Sequence, residues 1–247
     1  MKINTLFKED NEIVLKSLPD KSIDMILEDM PYNNTDLGFE YQVNLENYWK
    51  ERLRVIMDNG VIALTAQQPL VTDLINSNRK MFRYEIIWEK NRYMGFLNAR
   101  KMPLRGHENI LIFYKKLPTY NPQKTIATSL RVNNKRKANT KVSGHYTNYK
   151  PTDYVDDGLR YPHSVLKVPG STGKDHFHPT QKPLQLFSWL IRSYTNPGET
   201  VFDGYVGAGT TAVAAIKEKR NFIACEWGDY YDRAAAWIER TKHEEGL

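Results

Sequence analysis

The chain alternates short apolar segments with amphipathic ones, and this alternation constrains the fold more than any other feature of the sequence. Residues 22–27 and 61–64 are apolar runs with the length of buried strands, whereas residues 44–57 repeat apolar side chains at helical spacing. Parallel strands need long crossover connections, which are usually helices. The pattern therefore predicts an α/β fold with a mainly parallel, twisted sheet and helices on both faces. The predicted strands are residues 3–6, 22–27, 61–64, 84–88, 110–114, 200–202 and 222–225, and the predicted helices are residues 11–18, 44–57, 69–77, 183–194, 210–219 and 230–242.

The alternation lapses between residues 115 and 160, which are rich in Lys, Asn, Thr, Tyr and Pro. Within this interval, residues 131–150 contain six basic residues and no acidic one. The sequence thus predicts one core built from residues 1–114 and 161–247, with residues 115–160 as a small insert. The six basic residues are Arg131, Lys135, Arg136, Lys137, Lys141 and Lys150.

The bulk composition narrows the partners and the compartment. A formal net charge of +6 and an isoelectric point near 9.1 favour polyanionic partners, because Lys and Arg release condensed counterions from a nucleic acid. No apolar run is long enough to cross a bilayer and the N-terminus lacks a signal peptide, so we expect a cytoplasmic protein without membrane association. Cys225 is the only cysteine, which excludes an internal disulfide and a cysteine-built zinc site and favours a buried, unreactive thiol.

A glycine-punctuated turn follows the predicted strand 200–202. Asp203 comes first, Gly207 and Gly209 follow, and an apolar helix begins at Thr210. This order brings backbone N–H groups and a helix N-terminus toward a ligand, although a plain strand-to-helix turn accounts for it equally well when the turn is taken alone. The next strand ends in Cys225-Glu226-Trp227, which places a carboxylate where dinucleotide-type folds commonly hold ribose hydroxyls.

Two further motifs give this turn a context. Residues 178–183 read His-Pro-Thr-Gln-Lys-Pro, and Asp29-Met30-Pro31-Tyr32 follows the predicted strand 22–27. With these motifs, the chain resembles the amino-methylating DNA methyltransferases of the β arrangement, in which the catalytic motif precedes the cofactor loop. The resemblance covers most of the chain outside residues 115–160 and implies a Rossmann-like methyltransferase fold with circularly permuted motif order. It also implies a setting in restriction–modification.

The resemblance implies S-adenosylmethionine as the cofactor. The family's loop reads Asp-Pro-Phe-x-Gly-x-Gly-Thr-Thr, so this chain has Gly204 and Tyr205 in place of the proline and the phenylalanine. Glu226 is implied as the ribose ligand, and Trp227 as the residue against adenine, with an ordinary core position as the alternative for Trp227. For Asp10, the resemblance implies a contact with the adenine amine, and the alternative is that Asp10 caps the N-terminus of a helix. The full set of implied cofactor residues is Asp10, His178, Thr180, Asp203, Tyr205, Gly207, Gly209, Thr210, Glu226 and Trp227.

The motif Asp29-Met30-Pro31-Tyr32 has a chemical reason of its own. An exocyclic amine of adenine or cytosine is a poor nucleophile, because its lone pair is conjugated into the ring. A carboxylate and a backbone carbonyl that accept the two amine hydrogens favour a tetrahedral nitrogen, and an aromatic ring stacks on the flipped base. The resemblance gives these roles to Asp29, to the carbonyl of Met30, which replaces a proline of the family's Asp-Pro-Pro-Tyr, and to Tyr32. No metal is needed, and the pair His176 and His178 lacks the ligands that would complete a metal site.

The resemblance also bears on the target. An Asp at the first motif position is seen mostly in adenine N6 enzymes, so we expect adenine in double-stranded DNA, with cytosine N4 as the alternative. Methylation of cytosine C5 is excluded, since it needs a cysteine after proline and Cys225 follows Ala224. Residues 115–160 lie where the β arrangement carries its target-recognition region, although a solvated basic loop is the plainer interpretation. The expected phosphate contacts are Lys135, Arg136, Lys137 and Lys141, with Tyr146 and Tyr149 available to stack.

Other functions remain open at this stage. Met30 and Gly204 depart from the family pattern, which leaves a catalytically silent DNA-binding relative as an alternative. RNA or protein glutamine is a third class of acceptor, and the positive charge counts against the protein version. Relatives are often dimers, so a homodimer is left open, and residues 33–41 are a candidate loop over the extruded base.

Overall fold

The computed structural model describes residues 1–31, 43–127, 135–136 and 154–247, and for residues 135–136 and 154–155 it describes the backbone alone. The chain divides into two compact units, Met1–Asn121 with Ser164–Leu247, and Pro122–His163. Some predicted features fall outside the described residues: the loop 33–41, Tyr32, Arg131, Lys137, Lys141, Tyr146, Tyr149 and Lys150.

One eight-stranded sheet forms the framework of the larger unit, in the order β1-β12-β11-β2-β3-β5-β4-β10. Its pairings are parallel except for the two that β5 makes with β3 and β4. The predicted, mainly parallel α/β fold is therefore confirmed. The strands are β1 Thr5–Phe7, β2 Ile23–Glu28, β3 Ile56–Ala66, β4 Phe82–Met94, β5 Arg105–Phe113, β10 Val165–Lys167, β11 Thr200–Asp203 and β12 Asn221–Cys225.

The smaller unit contains two short antiparallel strand pairs. One pair joins β6 Thr125–Ile126 to β9 Leu159–Arg160, and the other joins β7 Lys135–Arg136 to β8 Tyr154–Val155. Both pairs lie within the interval 115–160 in which the strand and helix pattern lapses. Segments of two residues are too short to leave a period in the sequence, so the pattern did not predict them.

Helices cover both faces of the large sheet, as predicted. Leu15, Trp49 and Leu74 of the first three helices belong to one buried apolar cluster, whereas Leu190 and Val213 of later helices belong to a second. In β2, Met25 and Leu27 belong to one cluster and Ile26 to the other, as expected for a strand buried on both faces. The helices are α1 Asn11–Ser17, α2 Leu45–Val55, α3 Leu70–Ser77, α4 Leu184–Tyr194, α5 Thr210–Lys217 and α6 Tyr231–Glu244, with a 3₁₀ turn at Phe96–Asn98. Among the described helices, none is long and apolar enough to cross a membrane.

Residues Asp58-Asn59-Gly60, which lie between the predicted helix 44–57 and the predicted strand 61–64 and would form a turn there, lie inside β3. The register shifts there, since Ile23 pairs with Ile56 but Met25 pairs with Val61. A Cβ atom on Gly60 would lie 2.8 Å from the Ile56 side chain, so glycine permits the close approach of backbone at this irregularity. The predicted turn is therefore wrong, and its residues form a bulge instead.

The centre of the sheet brings two strand ends together. Val201 and Phe202 of β11 pair with Met25 and Ile26 of β2, so Asp203 and Asp29 reach the same carboxyl edge although they are far apart in sequence. The chain leaves β2 toward β3 and leaves β11 toward β12, on opposite sides. This is a topological switch point, where open α/β sheets form their ligand crevices.

Candidate active site

A cavity of about 860 Å³ opens at this carboxyl edge, within the larger unit. The ends of β2, β11 and β12 supply much of its wall, and residues 178–182 supply another part. Three of the four predicted catalytic residues, Asp29, Met30 and Pro31, line it. Nine of the ten predicted cofactor residues also line it: Asp10, His178, Thr180, Asp203, Tyr205, Gly207, Thr210, Glu226 and Trp227.

Asp29 presents a carboxylate that is largely buried but still reaches the cavity. Its side chain is 18% exposed, and its Oδ2 atom lies 2.5 Å from the ammonium of Lys182. Its Oδ1 atom accepts a hydrogen bond from the hydroxyl of Thr65 at the end of β3. Each oxygen of an ionised carboxylate can accept more than one hydrogen bond, so the contacts with Lys182 and Thr65 do not by themselves prevent Asp29 from accepting from a ligand.

Met30, which stands where the family has proline, is buried in the cluster between the sheet and helices α1–α3. Proline restrains such a loop through its ring, whereas Met30 restrains it by packing its side chain into the core. The departure from the family pattern thus leaves the backbone after Asp29 anchored.

Lys182 is a charged residue of the cavity wall that the sequence did not identify as functional. Its side chain is 6% exposed, and it also lies 3.5 Å from Glu108, whose side chain is 5% exposed. Burial alone would lower the pKa of Lys182, but Asp29 and Glu108 more than offset it and the net direction is upward. Lys182 lies in the motif of residues 178–183, immediately before the proline that precedes helix α4. Nothing in the sequence around it indicates that it meets Asp29 or Glu108.

The loop after β11 is held by its own aspartate. Asp203 accepts the backbone N–H of Tyr205 at 2.8 Å and the hydroxyl of Thr211 at 2.5 Å. Burial, and then the nearby charge of Glu28, raise the pKa of Asp203. Gly207 has a φ of 51° and Gly209 a φ of 93°, in the left-handed region that side chains disfavour. Gly209 is the one predicted cofactor residue that does not line the cavity, and it turns the chain into α5 instead.

The loop after β12 carries Glu226 and Trp227. Glu226 donates its N–H to the carbonyl of Phe7 and accepts the N–H of Gly228 at 2.7 Å, which fixes its side chain at the cavity wall. Burial raises the pKa of Glu226. Trp227 is 67% exposed, so the alternative that it is an ordinary core residue is wrong.

For Asp10 the helix N-cap is confirmed, whereas the contact with the adenine amine stays a prediction. Its side chain caps α1 by accepting the N–H of Glu12 at 2.8 Å, and it also lines the cavity. Only one side-chain oxygen is used by that cap, so the carboxylate has a second oxygen for a ligand.

His178 lies over the glycine loop from the opposite wall. A Cβ atom on Gly207 would lie 3.6 Å from its Nε2 atom, and its ring makes an edge contact with Tyr230 at 4.1 Å between centroids. Burial lowers the pKa of His178 to about 4, so its imidazole is neutral near pH 7. The Thr180 hydroxyl lies 3.1 Å from its Nδ1 atom. In the described part of the chain, no group of three or more His, Cys, Asp or Glu side chains is arranged to hold a metal ion.

Gly204 replaces the family's proline, and the buried residues around it explain the exchange. Its backbone N–H donates to Glu28 Oε1 at 3.1 Å, a bond that proline cannot make. A Cβ atom here would lie 2.8 Å from Glu28 Oε1 and 2.9 Å from Asn11 Cβ. Both distances are too short for ordinary contacts, so Glu28 and Asn11 leave no room for a side chain at position 204.

Restoring the family's residue with Gly204→Pro is therefore expected to destabilise the protein by about 2–5 kcal/mol, since it overpacks the site and removes a hydrogen bond to a charged group. Urea unfolding measures the loss. Gly204→Ala is the matched control, because it adds the Cβ but keeps the N–H, and it should cost less. A Gly204→Pro protein as stable as wild type would show that the contact with Glu28 does not select glycine.

The predicted nucleic-acid residues are placed only in part. Lys135 and Arg136 form strand β7 of the smaller unit, where the backbone alone is described. Lys137 and Lys141, like the predicted base-stacking residue Tyr32, lie outside the described residues. Their roles remain predictions.

Several known proteins are similar to this chain in sequence, and several solved structures are similar to it in fold. The type II methyltransferase M1.MboII of Moraxella bovis is 26% identical over 261 residues, covering 96% of this chain and 97% of that protein. The DNA adenine methyltransferase YhdJ of Escherichia coli K12 is 28% identical over 257 residues, covering 92% of this chain and 79% of that protein.

Two solved structures illustrate the likeness in fold. The M1.HpyAVI–SAM complex superposes with a TM-score of 0.63 at 21% identity, over 94% of this chain and 98% of that one. The cytosine-N4-specific PvuII DNA methyltransferase superposes with a TM-score of 0.65 at 16% identity, over 98% of this chain and 92% of that one. The sequence model of the N6/N4 DNA methylase family matches residues 23–236. The chain therefore belongs to the N6/N4 family of DNA methylases.

Proposed function

We propose that the protein transfers a methyl group from S-adenosylmethionine to the N6 amine of adenine in double-stranded DNA, after the base has flipped out of the duplex. The observation that carries the proposal is the position of Asp29, whose carboxylate reaches the same cavity as the glycine loop and Glu226. Asp at the first motif position favours adenine over cytosine. The name of the relative YhdJ, a DNA adenine methyltransferase, supports the same base.

The cavity fits the cofactor in its size and in its polar groups. Ligand pockets of small molecules and cofactors commonly have volumes of a few hundred to about 1,000 Å³, and this cavity has about 860 Å³. Glu226 binds the ribose hydroxyls, Trp227 lies against adenine, and Asp10 accepts from the adenine amine. The neutral ring of His178 and the hydroxyl of Thr180 flank the methionine end without adding a positive charge beside a sulfonium.

The chemistry at the target amine follows from the groups around Asp29. S-adenosylmethionine supplies an activated methyl group when it is bound. Asp29 accepts one hydrogen of the amine and the carbonyl of Met30 accepts the other, which draws the nitrogen lone pair out of conjugation. Tyr32 stacks on the flipped base. The positive charge that develops on nitrogen is stabilised by the carboxylate, and the approach of the two reactants supplies the remainder of the rate.

Two basic segments of the chain support contact with DNA. Lys135, Arg136, Lys137 and Lys141 belong to the insert that we assign to target recognition, residues 115–160. The connection between β4 and β5, together with the adjoining strand ends, lies at the carboxyl edge of the sheet and carries the exposed basic side chains Arg92, Arg100, Lys101 and Arg105. Residues 90–107 contain no acidic residue, which suits a phosphate backbone. A homodimer and a cytoplasmic location are further parts of the proposal, by analogy with the family.

The identity of the methylated base tests the proposal directly. Duplex DNA methylated by the purified protein is digested to nucleosides, which are separated by mass spectrometry, and N6-methyladenine is the expected product. N4-methylcytosine without N6-methyladenine would instead support cytosine, the second candidate, whose specificity the PvuII enzyme has on the same fold. Competition between duplex DNA and RNA in the same assay tests the nucleic acid, and no transfer to either would support a silent relative.

A further inference from the structure

We propose that Lys182 and Glu108 together position Asp29, so that its carboxylate is correctly oriented for the target amine. This inference rests on the proposed function of Asp29. In the proposal Lys182 is a positioning residue, because it acts through Asp29, and Glu108 acts through Lys182.

The geometry around Asp29 is that of a side chain held at both oxygens. Lys182 lies 2.5 Å from Oδ2, and the Thr65 hydroxyl donates to Oδ1. Two directional contacts on opposite oxygens determine the plane of the carboxylate as well as its location. The carboxylate is thereby presented to the cavity in one orientation, which is the condition for a short approach to the amine.

Lys182 is itself held, and this requires a second carboxylate. A buried ammonium with a single partner would lose part of that compensation when Asp29 also binds a substrate amine, and a buried charge without a partner is costly. Glu108 lies 3.5 Å away through Oε2, an atom that is buried and makes no hydrogen bond within the described residues. Lys182 therefore has a second acceptor in reach, and it can shift toward Glu108 as the amine approaches Asp29.

Glu108 is anchored from its other side. Its Oε1 atom accepts from Gln67 at 2.8 Å and from the ammonium of Lys90. Gln67 in turn accepts from Arg105 at 2.8 Å. Because these residues lie on or beside β3, β4 and β5, the positioning pair links Asp29 to the part of the sheet that carries the exposed basic connection.

A purely structural ion pair would make the same contacts, so the test needs a readout that folding alone does not change. In Lys182→Met we expect kcat to fall about 100-fold, the magnitude associated with misplacing a reacting group, while the KM for S-adenosylmethionine changes less than threefold. The split between a large loss in kcat and a small change in KM is the readout, because a loss of folded protein alone would lower the amount of active enzyme and leave the KM unchanged with no residue-specific pattern among matched variants.

Two further variants complete the design. Glu108→Gln keeps the shape of the side chain and removes its charge. We expect kcat to fall about tenfold, again with less than a threefold change in the KM for S-adenosylmethionine. This variant serves if Lys182→Met fails to fold. Lys90→Met is the matched control, because Lys90 also pairs with Glu108 but, unlike Lys182, does not pair with Asp29. It should show a kcat loss at least tenfold smaller than that of Lys182→Met.

The proposal is overturned if Lys182→Met or Glu108→Gln, folded by circular dichroism, keeps kcat within threefold of wild type. Equal losses in Lys182→Met and Lys90→Met would also overturn it, because they would assign the effect to the ion network as a whole. Failure of the proposed function is a different result. It would be a wild-type protein that transfers no methyl group, or an Asp29→Asn variant that remains active.

Discussion

Asp29→Asn is expected to lower kcat for methyl transfer to duplex DNA by about 10²–10³-fold, with little change in the affinity for S-adenosylmethionine. The substitution keeps the size of the side chain but replaces a charged acceptor with a neutral amide. The developing positive charge on the amine nitrogen then loses its stabilisation, and removal of one such electrostatic group typically costs this factor. Transfer of labelled methyl under single-turnover conditions measures the chemical step, and isothermal titration measures cofactor binding.

Asp24→Asn is the matched control, since Asp24 lies on the same strand β2 but near its opposite end, where it accepts the N–H of Thr200 at 2.8 Å. An asparagine oxygen can still accept that bond, so activity should stay close to wild type. An Asp29→Asn protein with more than a tenth of wild-type kcat would reject the role of Asp29 as the charged acceptor.

Arg52→Met is expected to lower the free energy of unfolding by about 3–5 kcal/mol, because it leaves the buried carboxylate of Glu28 without its cation. Arg52 and Glu28 both have fully buried side chains, joined at 2.9 Å. Arg52 also binds Glu12 at 2.7 Å and Asn11 at 2.9 Å, so it ties α1 and α2 to the end of β2. Urea or thermal unfolding monitored by circular dichroism measures the loss.

The double variant Glu28→Gln/Arg52→Met should recover part of this loss, because it removes the orphaned charge together with its partner. Lys116→Met is a control for an exposed ion pair: Lys116 is 64% exposed and lies 3.0 Å from Asp58, so its removal should cost about 1 kcal/mol or less. Equal losses in Arg52→Met and Lys116→Met would show that burial of the Arg52 pair adds nothing to its importance.

The alternation of strands and helices was sufficient to predict the α/β fold, since a strand buried on both faces and an amphipathic helix have different periods. The ends of elements were less accurate. Strand β4 runs over Phe82–Met94, well beyond the predicted residues 84–88, because its outer part is polar and partly exposed and carries no apolar signal. Strand β10 was missed because its three residues, Val165–Lys167, are too few to show a period in the sequence.

The site, like the fold, contains residues that the sequence predicted and residues that it missed. Asp29, Asp203 and Glu226 each follow a buried strand, so the sequence placed them at one edge, and their shared cavity accords with that reasoning. Lys182, Glu108 and Arg52 have no such local signal. Lys182 is 153 positions from Asp29 in sequence, and a single charged residue does not indicate which distant partner it will meet.

The sequence by itself determined the class of fold, the edge of the sheet at which the motifs meet, and the resemblance to amino-methylating enzymes, because these depend on local periodicity and on short contiguous motifs. Only the tertiary structure decided how the departures from the family are accommodated. Gly204 is required by the buried Glu28 beside it, and Met30 is held by packing in the core. The tertiary structure also decided that Lys182 and Glu108 stand behind Asp29. The physical reason is that burial and ion pairing are properties of residues brought together across the sheet, and they leave no pattern along the chain.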